Sequence, residues 1–417
     1  MDIRISPCSL RGEIASIPSK SRTHRALICS ALADVPTRLR NPVRNDDIEA
    51  TLGCLRALGA EFEEGKSELT VFPIKKAPAH AELDCRESGS TLRFLLPLAS
   101  AIIPEASFTG SGSLPSRPIG GLMAALAGGG AAFTSEKLPF TVSGELRPGI
   151  FEIAGDVSSQ YISGLLMALP LLGGDSRIVL ISPLCSSPYV QMTLDTLRDF
   201  GLAAERTQDG FFIPGGQNYR SPGSIDIDGD WSAAAFFLAA GAIGGDVTVG
   251  GLNLNSSQGD RAIIEALYKF GAEAEIAGDT VRVRKASLRA CELDVSAIPD
   301  LFPILAVTAC FAEGKTLLCN ASHLRFKESD RIKATAELIN SLGGKAAEYH
   351  DRLEITGTGL LGGTAESFGD HRIAMSAAIA ASCCEGETLI RRADAVSKSY
   401  PEFFKDFASL GGKVESE

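Results

Sequence analysis

A glycine that ends a helical run recurs through the whole chain at nearly constant spacing. The six glycines lie 68 to 72 residues apart: Gly59, Gly130, Gly201, Gly271, Gly343 and Gly411. Glycine commonly follows a helix because it adopts the left-handed backbone conformation at little cost. Internal repetition at a fixed period indicates that one supersecondary unit is used several times. The spacing therefore predicts six copies of one repeat.

A second helix recurs within each copy, and it is almost wholly apolar after a polar first turn. The predicted copies span 21–32, 90–103, 158–172, 231–243, 300–311 and 370–382. A helix that is apolar on all sides is a buried one. Short strand patterns flank both helices, so each repeat is predicted to read βαβαββ. With 417 residues the chain is too long for one core, and three repeats in each of two domains account for it.

The sixth repeat lacks its last strands, because the chain stops shortly after Gly412. The segment Ile3–Ile5 at the N-terminus is the obvious donor of a missing strand. We therefore predict a discontinuous domain made of residues 1–18 and 226–417, with an inserted domain at 19–225. Pro18 and Pro222-Gly223 suit the two crossovers, since proline and glycine interrupt regular structure.

The composition of the chain limits the kinds of molecule that it is expected to bind. The net charge of −11 and the pI near 5.1 disfavour nucleic acid. The ten cysteines are scattered without zinc-ligand spacing, which is typical of reduced thiols in the cytoplasm. Neither a signal-peptide core nor an apolar run of membrane-spanning length is visible. We expect a cytoplasmic monomer that binds small anions, with no metal, cofactor or membrane partner.

The most charged short stretch, Lys327 to Arg331, directly precedes an amphipathic run that ends at Gly343. Ser329 and Asp330 are candidate N-caps for a helix there. Lys327 and Arg331 would then lie at the positive end of that helix, where an anion is stabilised. Glu328 between them is expected to be ionised. The alternative is an ordinary solvated helix start with mixed charges.

The other helix starts carry polar groups at the same phase of the repeat. They comprise Lys20, Ser21 and Arg25; Gly89; Ser158, Ser159 and Gln160; Asp300; and Arg372, with Arg117 and Lys398 before the second helices. Open backbone N–H groups and guanidinium groups suit phosphate and carboxylate ligands. If the helix starts of the two domains face each other, they form an anion-binding cleft. Asp300 and Glu328 are the carboxylates available for proton transfer.

Each candidate also has a structural alternative. Ser158 and Asp300 are natural N-caps, His371 suits a core or supporting position, and Trp231 is expected in the core. No GxxxxGK[ST] loop is present, and no glycine cluster follows a strand as GxGxxG. A nucleoside triphosphatase and a dinucleotide-binding fold are therefore disfavoured.

Nine pieces of the chain, in order, resemble the EPSP (5-enolpyruvylshikimate-3-phosphate) synthase family. They are residues 18–25 (PSKSRTHR), 88–93 (SGSTLR), 117–120 (RPIG), 158–160 (SSQ), 187–189 (SPY), 298–300 (IPD), 327–331 (KESDR), 370–372 (DHR) and 398–401 (KSYP). The resemblance covers nearly the whole chain. It implies an α/β protein with a two-domain, inside-out α/β barrel-like fold of six βαβαββ repeats and ligands in the interdomain cleft.

The resemblance also implies a reaction: transfer of the enolpyruvyl group of phosphoenolpyruvate to shikimate 3-phosphate. The implied ligands of shikimate 3-phosphate are Lys20, Ser21, Arg25, Ser158, Ser159, Gln160, Ser186, Tyr189, Asp300 and Lys327. Those of phosphoenolpyruvate are Lys20, Gly89, Arg117, Gln160, Arg331, Arg372 and Lys398. Asp300 and Glu328 match the family's proton-transfer carboxylates, and Lys20 remains open for either role.

Two departures and two alternatives accompany this resemblance. His323 stands where some members have a ligand asparagine, and Ser90 replaces a common threonine. Gly112 occupies the place of the cysteine found in the sister transferases that act on UDP-N-acetylglucosamine, so that alternative is disfavoured. A non-catalytic anion-binding relative is the second alternative, and the presence of Asp300 and Glu328 argues against it. Gly89 predicts that the inhibitor glyphosate fits the phosphoenolpyruvate site.

Overall fold

The computed structural model describes residues 1–417. The chain divides into a discontinuous unit, Met1–Ile17 with Asp228–Glu417, and an inserted unit, Pro18–Ile227. The first boundary lies one residue before the expected position, and the second lies two residues after it. The second boundary moves because the strand Ser224–Asp226 pairs with Thr37–Arg40 of the inserted unit.

The inserted unit contains three four-stranded sheets. Its strands are β3 (Thr37–Arg40), β4 (Glu61–Glu64), β5 (Glu68–Phe72), β6 (His80–Asp84), β7 (Glu105–Thr109), β8 (Ala131–Phe133), β9 (Phe140–Gly144), β10 (Ile150–Ile153), β11 (Ser176–Leu180), β12 (Glu205–Arg206), β13 (Gly210–Ile213) and β14 (Ser224–Asp226). The sheet orders are β14-β3-β5-β4, β6-β7-β9-β8 and β10-β11-β13-β12. In each sheet the first pair is parallel and the other two are antiparallel.

The discontinuous unit contains three sheets of the same pattern. Its strands are β1 (Ile3–Ser6), β2 (Arg11–Ala15), β15 (Asp246–Gly250), β16 (Ala274–Ala277), β17 (Thr280–Arg284), β18 (Glu292–Asp294), β19 (Lys315–Cys319), β20 (Lys345–Glu348), β21 (Leu353–Thr356), β22 (Gly363–Glu366), β23 (Thr388–Arg391) and β24 (Lys413–Ser416). The sheet orders are β2-β15-β17-β16, β18-β19-β21-β20 and β22-β23-β1-β24. The predicted six-fold βαβαββ repeat is confirmed, with three repeats in each unit.

The N-terminal segment supplies strands to two different sheets. β1 lies between β23 and β24, with Ile3 opposite Ile390 and Ile5 opposite Val414. This confirms that the N-terminus completes the sixth repeat. β2 was not predicted: it pairs in parallel with β15, although it precedes the first helix of the inserted unit in sequence. Conversely, β14 precedes the first helix of the discontinuous unit but pairs with β3.

The buried helices begin with polar first turns and continue as apolar runs. They are α1 (Lys20–Ala31), α3 (Gly89–Ile102), α5 (Ser159–Ala168), α7 (Trp231–Gly244), α9 (Phe302–Cys310) and α11 (His371–Cys383). Five of them begin at a side chain that accepts a backbone N–H: Ser19, Ser88, Ser158, Asp230 and Asp370. Such caps satisfy donors that the first helical turn leaves open. Trp231 is fully buried, as predicted.

The second helix of each repeat has one exposed face. These helices are α2 (Asp46–Ala57), α4 (Gly120–Gly128), α6 (Ser187–Asp199), α8 (Ile263–Phe270), α10 (Arg331–Ser341) and α12 (Phe403–Ser409). Buried apolar side chains form two separate clusters, one in each unit. None of the helices combines the length and the hydrophobicity that crossing a bilayer requires.

Candidate active site

Arg331 is the centre of a buried charged cluster in the discontinuous unit. It is the first residue of α10, which begins at the N-cap Asp330, because the Asp330 side chain accepts the Lys333 N–H. The Arg331 Nε lies 2.8 Å from Asp370 Oδ2, and its Nη1 lies 2.5 Å from Asp300 Oδ1. Burial alone would lower the pKa of Arg331, but the neighbouring carboxylates raise it well above the ordinary value. Arg331 is therefore a fixed positive charge.

Asp300 bridges two arginines instead of capping a helix. Besides Arg331, it accepts a hydrogen bond from Arg372 Nη2 at 3.3 Å. The N-cap alternative for Asp300 is wrong, because α9 begins after Leu301 and has no side-chain cap. Burial would raise the pKa of Asp300, but Arg372, Arg331 and Lys327 outweigh it and hold the pKa well below the usual range. Asp300 is therefore ionised at neutral pH and can accept a proton.

Glu328 lies between a cation and a histidine. Its Oε2 is 3.5 Å from Arg331 Nη2 and 2.7 Å from His371 Nδ1. Both Glu328 and His371 are shielded from solvent, and the His371 residue is only 2% exposed. The contact places the carboxylate directly against the imidazole ring at an ion-pair distance. His371 therefore supports a candidate proton-transfer group, which is the supporting position that the sequence left open.

The neighbouring polar groups extend this cluster. Ser329 is not the N-cap of α10, and its hydroxyl donates to Asp370 Oδ2 at 3.0 Å. Lys398 Nζ donates to the Gly369 carbonyl at 2.8 Å, directly before the Asp370 cap. His323 is buried with no hydrogen-bond partner at either ring nitrogen, and burial together with Lys327 lowers its pKa to about 3. His323 is therefore neutral, with both ring nitrogens buried.

Glu328, Asp370 and His371 place three possible metal-ligand atoms within 4.8 Å of one another. The Arg331 guanidinium, however, lies against both carboxylates of this group. A permanent cation at that distance repels a metal ion, so the residues fit an arginine-centred anion site better than a metal site. The expected absence of a metal stays a prediction.

In the inserted unit, Lys20 is held by an aspartate that the sequence analysis missed. Lys20 is the first residue of α1, and its Nζ lies 2.8 Å from Asp47 Oδ2 in the first turn of α2. Both side chains are mostly shielded from solvent. Asp47 occupies the same phase of its repeat as Lys327 and Arg331, at the start of the second helix. This position in the repeat could have identified Asp47 from the sequence.

Gln160 and Arg93 connect the starts of two buried helices in the inserted unit. Gln160 Nε2 donates to Ser90 Oγ at 2.8 Å, and Gln160 Oε1 accepts from Arg93 Nη1 at 2.7 Å. Arg93 also donates to the Pro118 carbonyl at 3.1 Å, beside Arg117. The sequence analysis did not assign Arg93 to the site. Its place in α3, one turn after Gly89, was the available signal.

Gly89 leaves room for two arginines. A Cβ atom at this position would lie 2.7 Å from Arg117 Nη1 and 2.9 Å from Arg93 Nη1. Real Cβ atoms essentially never approach other atoms that closely. The absence of a side chain at Gly89 is therefore what allows Arg117 to lie at the start of α3.

The remaining candidates of the inserted unit lie around Arg25, which is almost completely buried. Arg25 donates to the Ser21 carbonyl at 2.8 Å and to the Tyr189 carbonyl at 2.9 Å, joining α1 to α6. Ser186 precedes α6 in the left-handed conformation, with φ of 55°. Ser158 is indeed the N-cap of α5 and accepts the Gln160 N–H, and Ser159 follows it. Arg25 therefore fixes the backbone that presents Ser21 and Tyr189.

Solved structures with the same fold define the class of this protein. An EPSP synthase from Acinetobacter baumannii superimposes with a TM-score of 0.82 at 27% identity, covering all of both chains. The enolpyruvyl transferase NikO from Streptomyces tendae shares the fold with a TM-score of 0.79 at 19% identity, covering 99% of this chain and 98% of that one. The repeated fold is therefore the one found in EPSP synthase and in this enolpyruvyl transferase.

Sequence comparisons identify the family. The model of EPSP synthase (3-phosphoshikimate 1-carboxyvinyltransferase) matches residues 6–407. A 3-phosphoshikimate 1-carboxyvinyltransferase from Clostridium novyi is 40% identical, over 99% of this chain and 98% of its own length. One from Methanocorpusculum labreanum is also 40% identical, over the full length of both chains. The chain therefore belongs to the EPSP synthase family, which confirms the resemblance, and it is a transferase.

Gly112 lies directly beside the Glu87 carboxylate. A Cβ atom there would lie 1.3 Å from Glu87 Oε1, because the Glu87 carboxylate fills the space where a side chain at 112 would project. Gly112 also has a φ of 55°, in the region that favours glycine. The loop is therefore built without a side chain at this position.

Proposed function

We propose that the chain transfers the enolpyruvyl group of phosphoenolpyruvate to the 5-hydroxyl of shikimate 3-phosphate and releases phosphate. This is the shikimate-pathway step towards chorismate and the aromatic amino acids. Family membership supports the reaction, and the observation that carries it in this chain is the Asp300–Arg331–Glu328 cluster. It combines an ionised base, a carboxylate in contact with a histidine, and a fixed cation within a few ångströms.

The two ligand sets remain proposals. Shikimate 3-phosphate is bound by Lys20, Ser21, Arg25, Ser158, Ser159, Gln160, Ser186, Tyr189, Asp300 and Lys327, and phosphoenolpyruvate by Lys20, Gly89, Arg117, Gln160, Arg331, Arg372 and Lys398. The cations in these sets offset the charge of two phosphorylated substrates. Gly89 contributes by leaving space for Arg117.

The chemistry assigns different tasks to the two carboxylates. The substrate hydroxyl adds to C2 of phosphoenolpyruvate while C3 gains a proton; the tetrahedral intermediate then loses phosphate, and the new methyl group loses a proton. Asp300 is ionised, as a group that accepts the hydroxyl proton must be, and it is proposed to take that proton. Glu328, in contact with His371, is proposed to give C3 its proton. Lys20 is the remaining candidate for either transfer.

A direct assay tests the reaction and its alternatives. Phosphate release from phosphoenolpyruvate is measured with shikimate 3-phosphate, with UDP-N-acetylglucosamine, and without an acceptor. We expect release only with shikimate 3-phosphate. Release only with the nucleotide sugar would identify the sister reaction, and no release with either acceptor would indicate a non-catalytic anion-binding relative.

The Glu328 assignment has its own test. Glu328→Gln keeps the size of the side chain but cannot supply the proton, so we expect kcat to fall by roughly 10²- to 10⁴-fold. Glu337→Gln, on the exposed face of α10, the helix that follows Glu328, is the matched control. Turnover near that of the unmodified enzyme in Glu328→Gln would eliminate Glu328 as the proton donor.

We further propose that the chain works as a cytoplasmic monomer with no cofactor, metal, membrane or nucleic-acid partner. All ten cysteines are free thiols, which suits a reducing compartment. The net charge of −11 disfavours binding to nucleic acid. Light scattering across a concentration series tests the oligomeric state, and a mass of twice the 43.8 kDa chain would contradict it.

A further inference from the structure

Asp260 is a buried carboxyl group that the proposed reaction does not use. It lies in a 3₁₀ turn directly before α8, and the residue is 1% exposed. Its Oδ2 is hydrogen-bonded to the hydroxyl of Ser232, in the first turn of α7. Its Oδ1 is buried and has no hydrogen-bond partner. One oxygen of this group is therefore neither solvated nor paired.

This environment favours the protonated form of Asp260. An ionised carboxylate with an unpaired oxygen is costly to bury, and protonation removes that cost. Burial, and next the negative charge of Asp300, raise the pKa of Asp260 to about 7; Arg372 and the Ser232 hydroxyl oppose this, and Asp230 adds to it. These charged and polar groups belong to α7 and its N-cap, to the turn before α9, and to α11.

Charged groups on the Asp260 segment itself do not neutralise it. The adjacent Arg261 is exposed, and its guanidinium donates to the Leu254 carbonyl. The preceding Gln258 directs its side chain to the Asp228 carboxylate, the Gly229 carbonyl and the Trp231 N–H. Asp260 therefore depends on a proton, or on Arg372, to balance its charge.

The surroundings of Asp260 connect it to Arg372. Ser232 lies one turn before Phe236 on α7, and the Arg372 Cζ lies 5.9 Å from the centre of the Phe236 ring. Arg372 also donates to Asp300 Oδ2 at 3.3 Å. While Asp260 is protonated, α7 presents the Phe236 ring to this guanidinium, and Asp260, which interacts electrostatically with Arg372, adds no negative charge to its surroundings. Once Asp260 ionises, it adds the charge of a second carboxylate.

We propose that Asp260 is a positioning residue for Arg372, and that phosphoenolpyruvate binds tightly only while Asp260 holds its proton. The proposal rests on the proposed function, in which Arg372 binds phosphoenolpyruvate. An ionised Asp260 attracts the guanidinium away from the substrate and repels the substrate's own negative charge. Binding and protonation are thus linked: affinity is present below the pKa of Asp260 and is lost as pH rises through it.

The test compares the unmodified enzyme with Asp260→Asn over pH 5.5 to 9. For the unmodified enzyme we expect KM for phosphoenolpyruvate to rise on the order of tenfold across the range, the effect of one added like charge. In Asp260→Asn, which mimics the neutral acid, KM should stay at its low-pH value. Titration of the substrate is common to both proteins, so only the difference between the two profiles counts.

Two further measurements keep the test decisive if Asp260→Asn folds poorly. Ser232→Ala removes the hydroxyl that favours the ionised form, so the midpoint of the KM profile should move to higher pH. Calorimetry in buffers of different ionisation enthalpy should show that the unmodified enzyme takes up protons at pH 7.5 when it binds phosphoenolpyruvate with shikimate 3-phosphate present.

The outcomes separate this proposal from the proposed function. If the unmodified enzyme releases no phosphate with shikimate 3-phosphate, the proposed function fails. If it is active but Asp260→Asn and Ser232→Ala both keep its KM profile, the role of Asp260 is refuted. Equal changes in kcat and in KM for both substrates at every pH would indicate a merely structural role and would also overturn the proposal.

Discussion

Replacing Gly89 by alanine tests how the site holds Arg117. The added Cβ would lie 2.7 Å from Arg117 Nη1, whereas ordinary contact begins at 3.4 Å. Arg117 must therefore retreat by about 0.7 Å, the difference between these distances. Arg93, at 2.9 Å on the same Cβ, faces a second clash. The substitution thus displaces two guanidinium groups without removing either.

A displacement near 1 Å can reduce catalysis about 100-fold when it moves a group that positions the substrate. We expect kcat/KM for phosphoenolpyruvate to fall by roughly 10- to 100-fold, which corresponds to about 1.4 to 2.7 kcal/mol. KM for shikimate 3-phosphate should change less, because Gly89 reaches that ligand set only indirectly, through Arg93 and its hydrogen bond to Gln160. Stability should not fall by the same amount, since alanine favours the helical backbone by about 0.5 to 1 kcal/mol.

The assay is steady-state kinetics with each substrate varied in turn, together with thermal unfolding. Gly120→Ala is the matched control, because Gly120 also begins a helix but has nothing within 4 Å of its would-be Cβ. An unchanged KM for phosphoenolpyruvate in Gly89→Ala would refute the reasoning. So would an equal effect in Gly120→Ala.

Three further predictions concern the same site. Asp370→Asn leaves Arg331 without its fully buried partner, so the free energy of unfolding in urea should fall by about 3 kcal/mol; an unchanged midpoint would contradict this. Asp47→Asn releases the Lys20 ammonium, so kcat/KM should fall by roughly tenfold, the effect of about 1.4 kcal/mol; full activity would show that Asp47 does not orient Lys20. Glyphosate should raise the apparent KM for phosphoenolpyruvate in competition assays, and inhibition independent of phosphoenolpyruvate concentration would argue against a shared site.

The repeated architecture was predictable from the sequence because its signals are local and occur six times. Glycines after helices and apolar runs after polar turns depend only on neighbouring residues. The same local chemistry made Asp330 a correct N-cap of α10 and placed Trp231 in the core. Each copy of the repeat reinforced the others, so a weak signal in one copy did not mislead the assignment.

Features that depend on distant partners were not predictable in this way. Asp300 resembles an N-cap after proline, but two buried arginines on other helices bind it instead. Asp47 resembles an ordinary acidic first turn until Lys20 lies beside it. The exchange of β2 and β14 between the units also has no local sequence signal, because a short strand has the same residue pattern whichever sheet it joins.

The discontinuity of one unit has a consequence for synthesis on the ribosome. The inserted unit, Pro18–Ile227, is complete once about half of the chain has emerged, so it can fold early. β1 can pair with its neighbours only after β23 and β24, the last strands to be synthesised, have emerged. The two ends of the chain finally lie together, with the Glu417 N–H donating to the Asp2 carbonyl at 3.1 Å. A circular permutant that joins these ends and opens before Pro18 would make both units continuous in sequence. β1 would then be synthesised after β23 and β24 and could pair with them at once.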